Sequence, residues 1–600
     1  MCGIVGLVYK CHQSVSIADI DKMNDKIRHR GPDGAGVFIS SDQRVGLGHR
    51  RLAIIDVVAS SDQPMTEQTG RLTIVFNGEI YNYQELRAAL SEQGFQFRTH
   101  SDTEVILVAY KHWGRDCVRH LRGMFAFAIW DDETKSIFLA RDRIGIKPIY
   151  FLIDDHRLAF ASELSALEVL NHSRPEISLQ AFDTFLKYKS VVGTHTIWEG
   201  IEKLEPGTCL SLSLRDGKSE VHRYWSLEEL GRGSNGATSK SEMLDRLSET
   251  LEMHLVSDVP VGLLLSGGVD SNFIAARLNE KNGISGMPAF TIDFDSDKNE
   301  SELASYTAEG LGLKHHIANV SRSGLEEGLV KMAKIYHDPL ADSSCVPTIA
   351  LCQEVAKHVK VAIGGDGGDE AFMGYKWQLA YWHMRCIPGF PLPQLQSNNR
   401  LSMLLGALSR SQGDRWEYLH GFVFSQAEIA ELTGRPYHGF EIPWNAKNEV
   451  SRELRIRELS SFTLSSILYK VDHASMANGL EVRVPFLDHK VIEDALNLQI
   501  SEMISGLSGK RLLRNYMRDH LPLRVSNAPK TGFGLPLGQW SSEIQKLANE
   551  KLLDGLAVQL NLLSYENLKL LVQGKSWRKE TKLWVLLCFE YWLRHREQLF

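Results

Sequence analysis

The residues best suited to chemistry are Ser266-Gly-Gly-Val-Asp-Ser271, which follow an apolar run over residues 261–265. That run predicts a short buried strand of a parallel sheet, and residues 272–277 predict the start of a helix. A strand, a glycine turn and a helix N-terminus gather free backbone N–H groups and the positive end of a helix dipole. Because Ser266 and Ser271 add hydroxyl donors, we interpret the loop as an anion site.

Asp270 lies among these donors, and its carboxylate would repel a phosphate unless a cation stood between them. A Mg²⁺ ion that bridges carboxylate and phosphate oxygens resolves the conflict. The loop is not a Walker A sequence, because no Gly-Lys-Ser/Thr follows at the required spacing. The alternative is a tight turn whose glycines serve only a steric purpose.

A second glycine-rich loop has the same character. Residues 359–363 predict a strand that runs directly into Gly364-Gly-Asp-Gly-Gly-Asp-Glu370. Its glycines would bring backbone amides close to a ligand, with the carboxylates of Asp366, Asp369 and Glu370 beside them. With Asp270, four acidic groups at one phosphate site require Mg²⁺ or a cationic substrate group. A flexible acidic surface loop is the alternative.

A third candidate is Cys2. Removal of Met1 is normal before a small residue, and it would place the thiol and a free α-amine on adjacent atoms of one residue. An α-amine with a pKa near 8 can act as the base for its own side-chain nucleophile. The alternative is a buried strand that merely begins with cysteine.

Polar residues downstream would complete a site around this thiol. Asn77 and the Gly78 amide could form an oxyanion hole for a tetrahedral intermediate. Arg51 could clamp an α-carboxylate with two hydrogen bonds. Glu79 and Asp102 could bind an α-ammonium group. This set indicates a site for an amino acid whose side chain is attacked.

The elements that position these residues fall into two groups. Alternating apolar residues over 72–76 and 136–140 predict antiparallel strands stacked in two sheets. Beyond a Gly/Ser-rich stretch at 231–239, strands at 261–265, 288–294 and 359–363 alternate with helices, which predicts a doubly wound parallel sheet. Ligands of such sheets bind at the carboxyl ends of the strands, where both glycine loops fall. Residues 390–450 or so predict helices without assignable chemistry.

Length and composition limit the remaining possibilities. A chain of 600 residues predicts two or more domains. A net charge of −7 gives no sign of nucleic-acid binding. Eight scattered cysteines without CxxC pairs favour a reducing compartment, and no membrane span or signal peptide is predicted. We therefore predict a cytoplasmic protein, with the choice between monomer and homodimer left open.

The stretches around Cys2, Arg51, Asn77 and Asp102 together resemble the N-terminal-nucleophile, or class II, glutamine amidotransferase domain. The resemblance implies a four-layer αββα sandwich over residues 2–210. It also implies that Cys2 is the nucleophile and that Asn77 and Gly78 form the oxyanion hole. The glutamine-binding residues that it implies are Arg51, Leu52, Ala53, Ile54, Ile55, Asn77, Gly78, Glu79 and Asp102.

The loop at 266–271 resembles that of the ATP pyrophosphatases. With residues 469–476, 479–488 and 528–536, it is similar to the synthetase domain of glutamine-hydrolysing asparagine synthetases. That domain would span residues 241–600, after closing strands and a linker at 211–240. By resemblance, Lys530 neutralises the departing pyrophosphate, Asp366 and Asp369 face the acceptor or metal, and Asp270 and Asp369 hold Mg²⁺. The implied ATP-binding residues are Leu265, Ser266, Gly267, Gly268, Val269, Asp270, Ser271, Ile292, Gly364 and Gly365.

The resemblance implies an enzyme that hydrolyses glutamine and passes the ammonia to an acyl-adenylate, made from ATP and most simply from L-aspartate. The acceptor is open to question, because Gly364, Asn299 and the run Glu370-Ala-Phe-Met-Gly-Tyr375 depart from the usual family pattern. One alternative is the same chemistry on another carboxylate, such as a uronic acid of a surface polysaccharide or a secondary-metabolite acid. Another is a glutaminase or binding protein with an inactive synthetase half.

Overall fold

The computed structural model describes residues 2–58, 61–170, 175–230, 237–294, 300–320, 324–387, 406–445, 449–528, 534–535 and 537–598. Lys530 and Asn299 lie outside these ranges, as do residues 231–236 of the predicted linker. The described helices include none that is long and apolar enough to cross a bilayer.

Within the described ranges of the first part of the chain, twelve strands form two antiparallel sheets. They are β1 (Gly3–Tyr9), β2 (Gly34–Ile39), β3 (Val45–Arg51), β4 (Met65–Thr66), β5 (Leu72–Ile80), β6 (Gly123–Asp131), β7 (Ser136–Arg141), β8 (Tyr150–Ile153), β9 (Arg157–Ala161), β10 (Glu202–Lys203), β11 (Thr208–Ser213) and β12 (Ser219–Arg223). The orders are β10-β8-β9-β1-β3-β2 and β12-β11-β7-β6-β5-β4. The two strands predicted from alternation are the cores of β5 and β7.

The sheets pack face to face, and helices cover their outer faces. Ile4 and Leu47 of one sheet share a buried apolar layer with Val75, Ala128 and Leu139 of the other. On the outer faces lie α1 (Ile17–Lys26), α2 (Tyr83–Glu92), α3 (Asp102–Trp113), α4 (Cys117–His120), α5 (Leu164–Glu168) and α6 (Leu179–Tyr188). This arrangement confirms the predicted αββα sandwich.

The second part is built on a five-stranded parallel sheet. Its strands are β13 (Val261–Leu264), β14 (Pro288–Phe294), β15 (Lys314–Val320), β16 (Val361–Ile363) and β17 (Glu481–Arg483). The strand order is β15-β14-β13-β16-β17. The first strand of this sheet along the chain, β13, therefore lies at its centre, where the strand order reverses. The two glycine loops leave the adjacent strands β13 and β16, so they meet at one edge of the sheet, as expected of a doubly wound fold.

Helices surround this sheet and extend beyond it. They are α7 (Lys240–His254), α8 (Val269–Asn282), α9 (Glu300–Leu311), α10 (Leu325–Ile335), α11 (Cys345–Val355), α12 (Gly368–Ala371), α13 (Lys376–Met384), α14 (Gln412–His420), α15 (Gln426–Thr433), α16 (Val450–Arg457), α17 (Tyr469–Met476), α18 (His489–Asn497), α19 (Ile500–Met503), α20 (Arg511–His520), α21 (Leu523–Ser526), α22 (Ser541–Lys551), α23 (Leu556–Gln559), α24 (Tyr565–Gln573) and α25 (Lys579–Glu597). Ser239 caps α7 in a capping box with Glu242. Helix α8 begins at Val269 and not at Asn272, so Asp270 lies within its first turn; the predicted position before that turn is wrong.

Two features join the halves of the molecule. The last helix, α25, inserts aromatic side chains against the first half, with Phe589 packed on Phe182 and Trp592 on Trp198. Between α16 and α17 the helix continues as a π-helical segment, Glu458–Leu468. In that segment, Ser465 contacts Ser190 of the first half and Ser466 donates to Asp342 of the second half. One continuous helix therefore borders both halves.

Candidate functional site

Cys2 stands at the start of β1, in the core of the sandwich. Its side chain is buried, and its backbone N–H donates to Asn77 Oδ1 at 3.1 Å, across the two sheets. Burial raises the pKa of the Cys2 thiol, while the Leu52 backbone N–H and the charge of Arg51 oppose that rise. A base in contact with the thiol is therefore needed for attack, and the α-amine of the same residue is the adjacent candidate.

Asn77 and Gly78, neighbours on β5, sit opposite this thiol. Asn77 is fully buried, and its Nδ2 has no hydrogen-bond partner within the described ranges. An unpaired buried amide donor is costly unless a ligand uses it. A Cβ on Gly78 would lie 2.1 Å from the Met124 carbonyl oxygen, so only glycine fits here. The pair offers the donor that an oxyanion requires.

Glu79 follows Gly78 on β5, and its buried carboxylate interacts with that of Asp102. Asp102 is the first residue of α3, and its Oδ2 accepts a hydrogen bond from Ile80 N at 3.0 Å. Burial raises the pKa of Asp102 to about 6. Burial, reinforced by the charge of Asp102, also raises the pKa of Glu79 well above its ordinary value. Two buried, mutually repelling carboxylates favour a bound cation, such as an α-ammonium group.

Arg51 ends β3 and holds the loop that closes this site. Its Nη1 donates to the Val58 carbonyl at 2.9 Å and to Asp62 at 2.5 Å, and its Nη2 donates to the Asp56 carbonyl at 2.6 Å. The guanidinium therefore has local partners in this structure, and a carboxylate ligand would have to replace or share them.

Residues Leu52 to Ile55 connect this site to the parallel sheet. Leu52 and Ile54 are buried in a small apolar cluster with Val361 of β16. The Ile54 carbonyl accepts from Asp258 N at 3.1 Å, and the Ala53 N–H donates to Asp33 at 2.8 Å. The wall predicted to line a glutamine pocket is thus also a wall of the second half.

Two arginines at this junction were not predicted from sequence. Arg483 of β17 donates from Nη2 to Glu79 Oε2 at 3.3 Å, while its carbonyl accepts from Gly364 N at 2.8 Å. Arg30 is fully buried and binds the Cys2 carbonyl at 3.2 Å and Asp472 of α17 at 2.8 Å. Their partners lie hundreds of residues away, and no local pattern identifies them.

The first glycine loop has the predicted strand–turn–helix geometry. Gly268 is the N-cap of α8 without a side-chain cap, so the first amides of the helix remain open to a ligand. Ser266 Oγ accepts from Gly268 N at 3.1 Å and lies 3.0 Å from Ser271 Oγ. Leu265 and Ile292, at the ends of β13 and β14, are buried beside it. The loop is a preformed anion cradle.

The second glycine loop packs directly onto the first. A Cβ on Gly365 would lie 3.0 Å from Asp270 Cβ, and one on Gly368 would lie 2.5 Å from Asp270 Cγ. Gly364 is less confined, because a Cβ there would lie 3.2 Å from Asp366 Oδ2. These approaches explain the glycines sterically, and they exclude a flexible surface loop.

Lys510, which precedes α20, neutralises the acidic groups between the loops. Its buried Nζ lies 2.5 Å from Asp270 Oδ2 and 2.6 Å from Asp369 Oδ1, and the two charges raise the pKa of Lys510 against the effect of burial. The expectation that only Mg²⁺ or a substrate cation could balance these carboxylates is corrected by this side chain. Gly374 makes room for it, since a Cβ there would lie 2.2 Å from Lys510 Cε.

A second lysine stands on the acceptor side. Lys470 of α17 donates to Ser344 Oγ at 2.7 Å and to Asp342 at 3.3 Å. Burial raises the pKa of Asp366, and Lys470 partly offsets that rise. Glu370 is buried and accepts a hydrogen bond from the Tyr375 hydroxyl. Within the described ranges no cluster of three or more His, Cys, Asp or Glu side chains has metal-site geometry.

The chain joins an αββα sandwich, with Cys2 beside its first strand, to a doubly wound parallel sheet with two glycine loops at one edge. This is the architecture expected of a two-domain glutamine amidotransferase. Sequence comparison agrees, because residues 1–225 match the model of the glutamine amidotransferase domain and residues 242–594 match that of asparagine synthase. The chain belongs to the family of glutamine-hydrolysing asparagine synthetases, and it is a ligase.

The relatives include more than one kind of named protein. Asparagine synthetase [glutamine-hydrolyzing] 1 of Bacillus subtilis is 32% identical over 567 residues, which cover 90% of this chain and 88% of the relative. A putative asparagine synthetase of Methanocaldococcus jannaschii is 31% identical over 81% of this chain and all of the relative. Amidase chry2 of Gibberella zeae is 28% identical and covers 90% of both chains.

Proposed function

We propose that the protein is a glutamine-dependent asparagine synthetase. Glutamine and water would give glutamate and ammonia in the sandwich. ATP and L-aspartate would give aspartyl-adenylate and pyrophosphate at the parallel sheet, and ammonia would displace AMP to give L-asparagine. The observation that carries this proposal is the shared wall, in which Leu52 and Ile54 pack on Val361 between the two sites.

In the first half-reaction the Cys2 thiol attacks the side-chain amide carbon of glutamine, and its own α-amine takes the proton. The Asn77 Nδ2 and the Gly78 amide stabilise the oxyanion. Collapse of the intermediate expels ammonia, which carries that proton away, and water then frees the thioester as glutamate. Arg51 holds the α-carboxylate, and Glu79 with Asp102 holds the α-ammonium.

In the second half-reaction the acceptor carboxylate attacks the α-phosphorus of ATP and pyrophosphate leaves. The Ser266–Ser271 loop binds the phosphates through backbone amides and hydroxyls, and Lys530 is assigned to the leaving pyrophosphate. Asp270 and Asp369 are oxygen donors of the kind that Mg²⁺ uses beside phosphates, and they would hold it by sharing their charge with Lys510. When bound, Mg²⁺ neutralises charge on the phosphates. Asp366 faces the acceptor.

A second candidate, the same chemistry on another carboxylate, is favoured by Met373. Its side chain is fully buried, yet its φ of 55° lies in the left-handed region that favours glycine. That conformation costs a non-glycine residue about 1–2 kcal/mol. This strained residue precedes Gly374 and lies near Asp369, on the proposed acceptor side of the loop. We infer that the methionine side chain itself contributes to acceptor binding. The amidase relative is consistent with this reading.

Pyrophosphate release with saturating ammonium, assayed over a panel of carboxylic acids and followed by mass analysis of the amide, tests both candidates. L-Aspartate should give the highest kcat/KM and asparagine as product. A better acid elsewhere in the panel would replace aspartate as the acceptor, and Met373→Gly should then weaken the preference for that acid. If none of the acids supports pyrophosphate release, the synthetase half is inactive with these acids, and only the glutaminase part of the proposal remains.

A further inference from the structure

A large cavity lies between the sandwich and the helical part of the second half, apart from both candidate sites. Its volume is about 600 Å³, which is in the range of small-molecule sites. The sandwich side includes Arg141, Pro206 and Trp225, and the other side includes Trp444 and Leu464. The proposed chemistry assigns no role to any of these residues.

The far wall is formed by the end of α16 and the π-helical segment. Arg457, Ser460, Ser461 and Leu464 all line the cavity. Segments with π geometry are uncommon and often occur at functional sites. Glu458, the next residue after Arg457, interacts electrostatically with Glu370 and Asp369 of the acceptor loop. The helix therefore separates the cavity from the synthetase site.

Arg457 has an unused donor. It is 3% exposed, and its Nε and Nη2 bind the Pro443 and Ile442 carbonyls. Its Nη1 is buried without a hydrogen-bond partner in the described part of the chain, and so is the indole Nε1 of Trp444. Burial lowers the pKa of Arg457, and the carboxylate of Glu453 at 3.5 Å offsets that effect only in part. The two unpaired donors belong to side chains that both line the cavity, and each costs free energy unless an acceptor reaches it.

The charge of the lining indicates the sign of that acceptor. Five cationic side chains line the cavity against three acidic ones. Arg223 pairs with Glu205, Lys203 pairs with Asp338 at 2.8 Å, and Arg457 lies near Glu453. Arg141 and Arg143 donate instead to backbone carbonyls, so their positive charges lack carboxylate partners on this surface. An excess of positive charge in a partly closed, low-dielectric space favours an anion.

The remaining surface is apolar and aromatic, with Trp225, Phe440 and Trp444 among the lining residues. Arg457 also lies 4.9 Å from the Trp444 ring centroid, which leaves a flat cationic and aromatic wall. We propose that this cavity is a binding site for a small amphipathic carboxylate, whose anionic end meets Arg457 and Trp444 Nε1 and whose ring lies among the aromatic side chains.

Calorimetric titration of the full-length protein with naphthalene-2-carboxylate and with its neutral partner 2-naphthamide tests this inference. We expect one carboxylate per chain, bound roughly tenfold more tightly than the amide, because the hydrogen bonds to Arg457 are charge-assisted. Ser460→Trp should abolish binding by filling the cavity. Ser542→Trp, at an exposed helical serine elsewhere, should not.

Several outcomes would overturn the proposal: equal affinity for acid and amide, retained binding in Ser460→Trp, no heat with either compound, or competition with AMP. Arg457→Met should weaken the carboxylate and leave the amide unchanged. Since loss of Arg457 also removes its bonds to backbone carbonyls, circular dichroism must first show that the variant folds. If Arg457→Met does not fold, the Ser460→Trp result decides the question.

Discussion

The two candidate sites differ in how far the protein itself balances the charge of their buried carboxylates. In the sandwich, Glu79 and Asp102 lie together with raised pKa values, and their nearest cation is Arg483, at 3.3 Å from Glu79. At the parallel sheet, Lys510 lies within 2.6 Å of both Asp270 and Asp369. The first pair is left for a cationic substrate group, whereas the second is already neutralised by the protein.

This difference has a functional meaning. A site whose carboxylates are only partly balanced, here by Arg483 at Glu79, gains affinity when an α-ammonium enters, so charge selects the substrate. A site with an internal ammonium can remain folded without ligand, and it can shift its lysine when Mg²⁺ and phosphates arrive. We therefore expect substitutions in the first site to reduce catalysis or substrate affinity. Substitutions in the second site should act mainly by disturbing its charge balance.

The largest effect should come from the nucleophile. Cys2→Ala should abolish glutamine-dependent synthesis, by several orders of magnitude, while synthesis from added ammonium continues. The measurement is amide formation with each nitrogen source. Cys11→Ala, which removes an exposed thiol, is the control. If Cys2→Ala still uses glutamine well, or if a retained Met1 is harmless, the nucleophile assignment is wrong.

Asp270→Asn should give the complementary result, with glutamine hydrolysis kept and ATP turnover reduced by roughly a hundredfold or more. The near-isosteric change leaves Lys510 with Asp369 alone and weakens the carboxylate set for Mg²⁺. Pyrophosphate release with saturating ammonium and acceptor should recover partly as Mg²⁺ rises, as mass action at a weakened site requires. Unchanged turnover at low Mg²⁺ would remove Asp270 from metal binding.

Lys510→Met separates charge balance from catalysis. Without the lysine, Asp270 and Asp369 face each other uncompensated, and breaking a buried ion pair costs about 3–5 kcal/mol. Denaturant unfolding should show that loss, and added Mg²⁺ without ATP should restore part of the stability. Lys510→Arg, which keeps the charge, should lose less. Equal stability of wild type and Lys510→Met would contradict the proposed charge balance.

These cases also show how far sequence reasoning reaches. The three sheets and the two glycine loops follow from local patterns, because each loop carries its own turn residues and anchor strand. The hydrogen bond from Cys2 N to Asn77 Oδ1 was not predicted. The role of Lys510 does not follow from a local pattern, since it depends on a left-handed backbone with φ of 57° and on Gly374, which leaves space for the side chain. Arg30 and Arg483 were likewise missed, because their partners are set by how the halves pack. The roles of the predicted site residues remain predictions.

Titration of Asp102 should sharpen the contrast at the sandwich. Its carboxyl group has a pKa raised to about 6 by burial, and only the deprotonated form attracts an α-ammonium. Between pH 5 and pH 7 this group should therefore raise the kcat/KM for glutamine about tenfold, in addition to the rise that deprotonation of the Cys2 α-amine produces up to its own plateau. Asp102→Asn should flatten this limb and lower the plateau. A pH profile that is unchanged by the substitution would assign the titration to another group.

The smallest effect concerns two neighbouring glycines. A Cβ at Gly364 meets Asp366 Oδ2 at 3.2 Å, the end of a side chain that can move, so Gly364→Ser should change pyrophosphate release only several-fold. A Cβ at Gly365 lies 3.0 Å from Asp270 Cβ and 3.1 Å from the Ser271 backbone nitrogen, which belong to the phosphate cradle. Gly365→Ser should therefore raise the KM for ATP more than Gly364→Ser, and neither should affect glutamine hydrolysis. The reverse order would mean that the acceptor side, and not the cradle, is the rigid part of the synthetase site.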